Sequence, residues 1–439
     1  MRLKMLTIRD VAEGQLCSGC GVCASAFPDA IEMTDVLDYG RRPRARAGVD
    51  AGASAAAMQE ALAVCPGIAL EHDESTIGPE PIIEALRAGW GPVRALWEGY
   101  AADDAIRFAG SSGGAASALA LYAIEAAGMS GVIHAAARSD VPYLNETVIS
   151  RSRDELLERT GSRYAPASPG DGLHLMQEDD RRVAFIGKPC DVAGLNKLRA
   201  IRPEIDARIG ITIAFFCAGV PSTRGTLELI RKNGIDDPAA IRSVRYRGNG
   251  WPGMWTVRAD TPQGEKEVQM TYAESWGFLQ RYRQWRCYIC PDHTGEFADI
   301  AVGDPWYREV QRGESGSSLI LARTQRGRDF IEAAIAAGYL IAQDAPANML
   351  PDSQPNLLGT RGALWGRLLA LRVMFAPRPV FRGMPMFRYW RTQLSAKEKV
   401  QSIYGTIRRI FTKNLRRRVD LVSYDPQPSH HPITTQSRR

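Results

Sequence analysis

Three cysteines within seven residues, Cys17, Cys20 and Cys23, stand in the spacing C-x2-C-x2-C, with Gly19 and Gly21 between them. That spacing lets three thiolates converge on three irons of one 4Fe-4S cubane, and glycines allow the backbone to wrap tightly around it. In the bacterial ferredoxin run a fourth cysteine follows three residues later and precedes a proline; here Phe27-Pro28 occupies that place. In two-cluster ferredoxins that fourth cysteine serves the other cluster, so the missing ligand must come from a distant Cys-Pro. Cys65-Pro66 fits. The competing reading, a zinc knuckle, presents paired C-x2-C units and suits three cysteines in seven residues poorly.

The eight cysteines of the chain leave a second set of four: Cys190, Cys217, Cys287 and Cys290. Cys190 and Cys217 each follow an apolar run, 182–186 and 209–216, that reads as a parallel strand. They thus fall at the carboxyl edge, where open α/β sheets place ligands. Cys287 and Cys290 form a C-x2-C pair followed by Pro291. Either of the first two alone reads as a buried structural cysteine. Together the four read as ligands of a second 4Fe-4S cluster, with a zinc site as the main competitor.

The elements that must hold these residues follow from pattern. Residues 1–75 read as a cysteine-bearing module rich in turns, followed by a Pro/Gly connector at 78–81 and 89–92. From about 93 the pattern is strand–helix: a strand at 93–100, a glycine loop, a helix at 115–127 and a strand at 131–136. The run 191–200 reads as a helix, and Ser222 as the N-cap of another through Lys232. Strands alternating with helices imply a largely parallel sheet. Two β-like runs, 243–247 and 254–259, flank Trp251-Pro252-Gly253 as a hairpin insertion. The expected fold class is therefore α+β / α/β: a small ferredoxin-like iron–sulfur module at 1–75, a central α/β domain with a partly parallel sheet at 90–345, a basic helical extension at 346–420, and a disordered tail at 421–439.

Charge is uneven. From Arg361 to Val419 there are fifteen Lys and Arg against the single acid Glu398, while the rest of the chain carries a net −8. Three readings follow for this basic stretch: contact with an anionic membrane surface, docking of an acidic redox partner such as a ferredoxin, or packing on the acidic body of the protein itself. No nucleic-acid-binding motif accompanies the charge. The amino terminus carries no apolar stretch of signal-peptide length, and the most apolar window, 113–137, contains Glu125 and several glycines. A cytoplasmic protein is expected, where clustered thiols point to metal rather than disulfides.

Along the chain, CSGCGVC, SSGGAASALALYAIEAAGMSGV, GSRYAPAS, GKPCDVAGLNKL, FFCAGVPS, RYRGNGWPG and RCYICPDHTGEFADIAVGDPW occur in that order across about residues 15–325. With these stretches the sequence resembles the beta-subunit family of coenzyme F420 hydrogenases and dehydrogenases, whose relatives include ferredoxin-dependent chlorophyll-cycle reductases. The resemblance implies FAD and one or two 4Fe-4S clusters, and electron transfer between a one-electron carrier and a hydride-accepting small molecule. It does not choose the substrate, and residues after about 345 lie outside it.

No strand–GxGxxG–helix fingerprint is present, so a Rossmann nicotinamide site has little support. Gly110 to Gly114 open the helix at Ala115, and free N–H groups at a helix start can receive a pyrophosphate. Alone that feature reads as an ordinary cap. The resemblance makes Ser112, Gly113 and Gly114 flavin-phosphate candidates, and Arg163, Tyr164 and Lys188 candidates to face the isoalloxazine, where fixed positive charge favours the reduced anionic ring. Arg247 and Trp251 read equally as cleft residues or as a hairpin's aromatic and its ion-pair partner; Asp304 and Trp306 read as structural. The expected path runs from an external donor through the Cys17 and Cys190 sets to FAD and substrate. The rival is a non-catalytic electron-relay subunit of a larger complex.

Overall fold

The computed structural model describes residues 4–72, 77–310 and 313–426. Of the disordered tail expected at 421–439, residues 427–439 lie outside the described residues, whereas Tyr424 is held: it donates its N–H to Asp35 O at 2.7 Å and meets the Tyr143 hydroxyl at 3.0 Å.

An eight-stranded mixed sheet organises the middle of the chain. Its order is Leu340–Asp344, Ala95–Ala101, Ser318–Ala322, Ile300–Gly303, Ile209–Phe215, Val183–Gly187, Val132–Ala137 and Asn145–Ser150. The strands Ile300–Gly303, Ile209–Phe215, Val183–Gly187 and Val132–Ala137 run parallel. Their sequences are near-continuous apolar runs because both faces are covered. One face packs on the helices Ala115–Glu125 and Gln325–Ala336 through Leu119, Ile331 and Ala334. The other receives Val192, Leu195 and Leu198 of the helix Pro189–Arg199.

The antiparallel partner Ser318–Ala322 brings Ala95–Ala101 back into the direction of the parallel strands. The carboxyl ends of Ala95–Ala101, Ile300–Gly303, Ile209–Phe215 and Val183–Gly187 therefore share one edge. The expected hairpin gains a third strand: Met254–Thr261 lies between Ile241–Arg245 and Gly264–Thr271. This small sheet packs on the helices Thr223–Lys232 and Tyr272–Leu279 around Trp255.

The amino-terminal segment combines short helices with the hairpin Ile31–Val36/Gly40–Ala45. It does not stand apart from the basic extension. Ile8, Val11, Leu16, Cys23 and Cys65 share one core with Leu364 and Leu371 of the helix Leu357–Val373 and Ile410 of Ala396–Thr412. The strand Val380–Arg382 also pairs with Ala69–Glu71. Several of the extension's cations turn inward: Arg361 pairs with buried Glu296, Arg367 donates to Tyr288 O at 2.5 Å, and Arg418 pairs with Asp10 and Glu13. Of the three readings of the charge, packing on the body is the one these contacts realise.

His134, 9% exposed, gives a pH test of the sheet. Its Nε2 lies 2.8 Å from Ser150 Oγ and its Nδ1 3.2 Å from Ala135 O. Burial, aided by the nearby Arg159 charge, pushes its pKa down to about 4. The unfolded chain then binds the extra proton below about 6.5, so this contribution is complete above pH 6.5 and is lost as pH falls toward 4, up to about 3 kcal/mol. Urea midpoints at pH 7 and pH 5 should diverge more for the wild type than for His134→Gln. Equal losses would refute the assignment.

Candidate functional site

Thr7 caps the helix Ile8–Glu13, and the chain then enters the Cys17 loop. Gly19 and Gly21 take φ of +73° and +86°, which a side chain would resist, and Gly21 starts the helix Val22–Ala26 that carries Cys23. The Gly19 N–H points at Cys17 Sγ, 3.3 Å away. Cys65 leaves the short 3-10 turn Ala61–Val64. A Cβ on Gly67 would lie 2.6 Å from Leu16 O and 3.3 Å from Cys65 Sγ, so the Cys65-Pro66 segment sits against the start of the Cys17 loop. Cys65, expected to complete the first set, is thus brought beside the loop that carries the other three.

The second set gathers at the sheet edge. Cys190 lies in the first turn of Pro189–Arg199, just past Val183–Gly187, and Cys217 lies two residues past Ile209–Phe215. Cys287 belongs to the helix Trp285–Tyr288; its Sγ accepts the Val220 N–H at 3.3 Å. Cys290 Sγ donates to Asp292 O at 3.0 Å. The Cys217 N–H donates to His293 O at 2.9 Å, tying the two ends of this set together.

Electrostatics divide the eight thiols into the same two groups. Burial and then the charges of Asp191, Cys65 and Cys17 push Cys20 well up, and burial with Cys17 pushes Cys65 to about 11. Cys23 rises by burial, with Cys20, Cys17 and Cys65 adding to it. In the other group burial, Asp191, Cys217 and Cys290 raise Cys190, while burial, Cys287 and Cys290 carry Cys217 to about 12. Four thiolates can share such a space only with compensating positive charge among them. Among the described residues no three His, Cys, Asp or Glu side chains are set to hold a single metal ion. The two groups are neighbours: a Cβ on Gly194, one turn beyond Cys190, would lie 3.2 Å from Cys20 Sγ.

Around the same edge the other expected site residues separate. Lys188 is buried, donating to Asp191 Oδ2 at 2.7 Å and Ala167 O at 3.0 Å. Burial opposes its charge, but Asp191 and then the Cys190 and Cys217 sulfurs more than offset this and raise its pKa. It faces the second thiol group. Arg163 spends four of its five N–H donors on Asn145 Oδ1, Val244 O, Pro142 O and Leu144 O, which makes it a tie between segments, and its guanidinium lies over the Tyr246 ring. The Gly113 N–H, expected to be free, donates to Ser318 Oγ at 2.9 Å, and Ser112 Oγ donates to Ser317 O. Gly114, at φ +72°, begins Ala115–Glu125 without a side-chain cap.

Tyr164 does reach a cluster, and its centre is a pair that the sequence reading left apart. Arg247 donates to both oxygens of Asp304, at 2.8 and 2.9 Å, and Trp251 Nε1 donates to the same carboxylate at 2.9 Å. Burial opposes the Arg247 charge, but Asp304 holds its pKa well above the ordinary value. Trp306 stacks on Trp251 with centroids 5.3 Å apart and on Tyr272 at 6.1 Å. The Tyr164 hydroxyl stands 3.4 Å from Arg247. Asp304 and Trp306, read as structural, are the anchor and one plate of an aromatic cluster in which Trp251 is buried and Trp306 and Tyr272 are half-buried. The only sequence signal was the GDPW run itself.

The two profiles of the coenzyme F420 hydrogenase/dehydrogenase beta subunit match in order, the amino-terminal one over residues 96–173 and the carboxy-terminal one over 180–348. Together they span more than half of the chain. The chain belongs to this family. Similar proteins include the coenzyme F420 hydrogenase subunit beta of Methanosarcina barkeri, 22% identical over 52% of this chain and 73% of its own length. The subunit of that name from Methanococcus voltae is 26% identical, over 55% and 80%. The coenzyme F420-dependent sulfite reductase of Methanocaldococcus jannaschii aligns over 73% of this chain and 46% of itself at 22% identity. A chain of the F420-reducing NiFe hydrogenase complex from Methanosarcina barkeri superposes with a TM-score of 0.48 at 19% identity, covering 63% and 92%.

The amino-terminal half of the beta-subunit family region holds the Ser112–Gly114 loop and Tyr164, and its carboxy-terminal half holds the whole second thiol group and the Arg247–Asp304 pair. The Cys17 group and the basic helices lie outside both halves.

Proposed function

We propose that this beta-subunit-family chain is an iron–sulfur flavoprotein oxidoreductase, cytoplasmic, passing electrons between a ferredoxin-like one-electron carrier and a two-electron acceptor, either a small organic substrate or a deazaflavin. The observation that supports the reading is that remote cysteine segments come together: Cys65-Pro66 lies against the Cys17 loop, and the Cys217 N–H is tied to His293 O, three residues past Cys290. Cys17, Cys20, Cys23 and Cys65 would hold one 4Fe-4S cluster, and Cys190, Cys217, Cys287 and Cys290 the other; three cysteines in the C-x2-C-x2-C spacing suit a cubane better than a zinc knuckle. When bound, the clusters supply single-electron transfer and FAD supplies the pairing of electrons for a hydride equivalent.

The chain's own part is positional. Ser112, Gly113 and Gly114 would shape the phosphate end of the flavin site through the backbone at the start of Ala115–Glu125. The Trp251, Trp306 and Tyr272 face, with Tyr164, offers planar stacking beside a fixed guanidinium. Lys188, paired with Asp191 and donating to Ala167 O, would position the start of Pro189–Arg199, which carries Cys190, beside the flavin edge. The exposed residues Val400, Tyr404 and Phe411 of Ala396–Thr412, with Lys397 and Arg408 on the same side, are left to receive the acidic carrier.

A second reading, an electron-relay subunit without its own substrate site, is favoured by the relatives named as hydrogenase and formate dehydrogenase subunits. The anaerobically purified chain alone, given a chemical one-electron donor, should reduce its bound FAD and then coenzyme F420 or a dye acceptor. Reduced centres with no flavin and no acceptor turnover would leave only the relay.

The loop gives a separate prediction. A Cβ on Gly316 would collide with the Ser112 carbonyl oxygen. Gly316→Ala should displace Ser112–Gly114 and cut retained flavin several-fold while iron content stays at the wild-type level, read from absorbance after gel filtration. Unchanged flavin would remove this loop from the site.

A further inference from the structure

Two arginines lie between the quartets. Arg42 is 2% exposed and Arg286 3%. The Arg42 guanidinium donates to Arg41 O and to Gln284 Oε1, each at 2.8 Å. Its Nη1 lies 3.5 Å from where a Cβ on Gly19 would be, inside the Cys17–Cys20 loop, and Gln284 O accepts the Cys287 N–H at 3.1 Å. Arg42 thus reaches from the loop of the first quartet to the turn that sets Cys287. Arg286 repeats the arrangement on the other side. It donates to Pro66 O at 3.2 Å, next to Cys65, and to Ile289 O at 3.0 Å, next to Cys290.

Every hydrogen-bond partner of these two cations is neutral, and each keeps a buried Nε without a partner. A buried cation held only by carbonyl and amide oxygens is costly unless an anion lies near. The anions in reach are sulfurs: Cys17 and Cys287 counter the burial that pulls Arg42 down, and the Arg286 charge counters the rise of Cys65 and of Cys290.

We propose that Arg42 and Arg286 are shared positioning residues, two fixed charges each wedged between one cysteine of the first quartet and one of the second, which raise the reduction potentials of both centres together. The inference rests on the reading that both quartets hold clusters. Reduction adds negative charge to a thiolate-ligated centre, and a fixed cation within a low-dielectric wall stabilises the reduced form more than the oxidised one. Because each arginine bridges the segments that carry both sets, neither centre can be tuned alone. The Lys188–Asp191 pair, which also lies between Cys20 and Cys190, is internally neutralised and leaves the arginines as the net charge there.

The test is an anaerobic potentiometric titration of the holoprotein followed by EPR, comparing wild type with Arg42→Gln, Arg286→Gln, Arg42→Lys and Arg286→Lys. With iron and sulfide content at the wild-type level, each glutamine variant should lower both midpoint potentials by at least tenfold in the reduction equilibrium, about 59 mV for one electron. The lysine variants should stay near wild type. If a glutamine variant fails to load iron, its lysine counterpart decides: both potentials retained supports the charge, and a fall in either overturns it. A shift confined to one centre, or none in fully loaded glutamine variants, overturns the shared wedge while leaving the clusters in place. A wild-type chain without iron overturns both.

Discussion

Cys217→Ser is expected to remove about four of about eight irons per chain and to erase one of two reduced EPR signals, leaving the other intact. Cys20→Ser should do the converse. The asymmetry follows from the division of the thiols. Cys217 feels Cys287 and Cys290, whereas Cys20 feels Cys65 and Cys17. The two sets are also carried by different elements: Cys217 by the end of a sheet strand, Cys20 by a glycine-hinged loop in the amino-terminal core. A serine oxygen is a harder and poorer ligand for cluster iron than a thiolate, so the substituted set holds its cluster weakly. Iron and acid-labile sulfide counted per chain, with EPR of the dithionite-reduced variants, decide the matter. Loss of both signals from either substitution would mean a single shared centre.

Asp304→Ala is expected to cost about 3–5 kcal/mol, because it leaves Arg247 buried without its carboxylate. Arg247 is 2% exposed, and both its Nη atoms are spent on Asp304. The same change strips Trp251 Nε1 of its acceptor and frees the Trp251–Trp306 stack. Asp304→Asn, which keeps the shape and one acceptor, should cost less. Denaturant midpoints of the three proteins at equal iron content give the ordering. If alanine and asparagine both lie within about 0.5 kcal/mol of wild type, a range ordinary for surface substitutions, the pair does not organise this edge.

The cysteine sets proposed above as cluster ligands were the most legible part of the chain, since short spacings and Cys-Pro are local signals. The placement of remote members could also be read: Cys65-Pro66 lies beside the Cys17 loop, and Cys190 and Cys217 follow the two apolar strands. The parallel strands were legible because burial on both faces leaves continuous apolar sequence. The aromatic face was not, because Arg247 and Asp304 meet across 57 residues of chain with nothing local to mark them. The glycine loop was misjudged in detail for a similar reason. Its N–H groups looked free only while the partner strand, with Ser317 and Ser318, was out of view. Nor does the sequence mark the acceptors of Arg163, which lie in segments 18 to 81 residues away. The basic extension looked separate because composition cannot show that Leu364, Leu371 and Ile410 complete the core around Cys23 and Cys65.

The most direct check is elemental and acid-labile sulfide analysis of the anaerobically purified full chain, joined to EPR after dithionite reduction. Two four-iron centres predict about eight irons and about eight sulfides with two reduced signals. A colourless protein that carries zinc and no sulfide would contradict the account at its root.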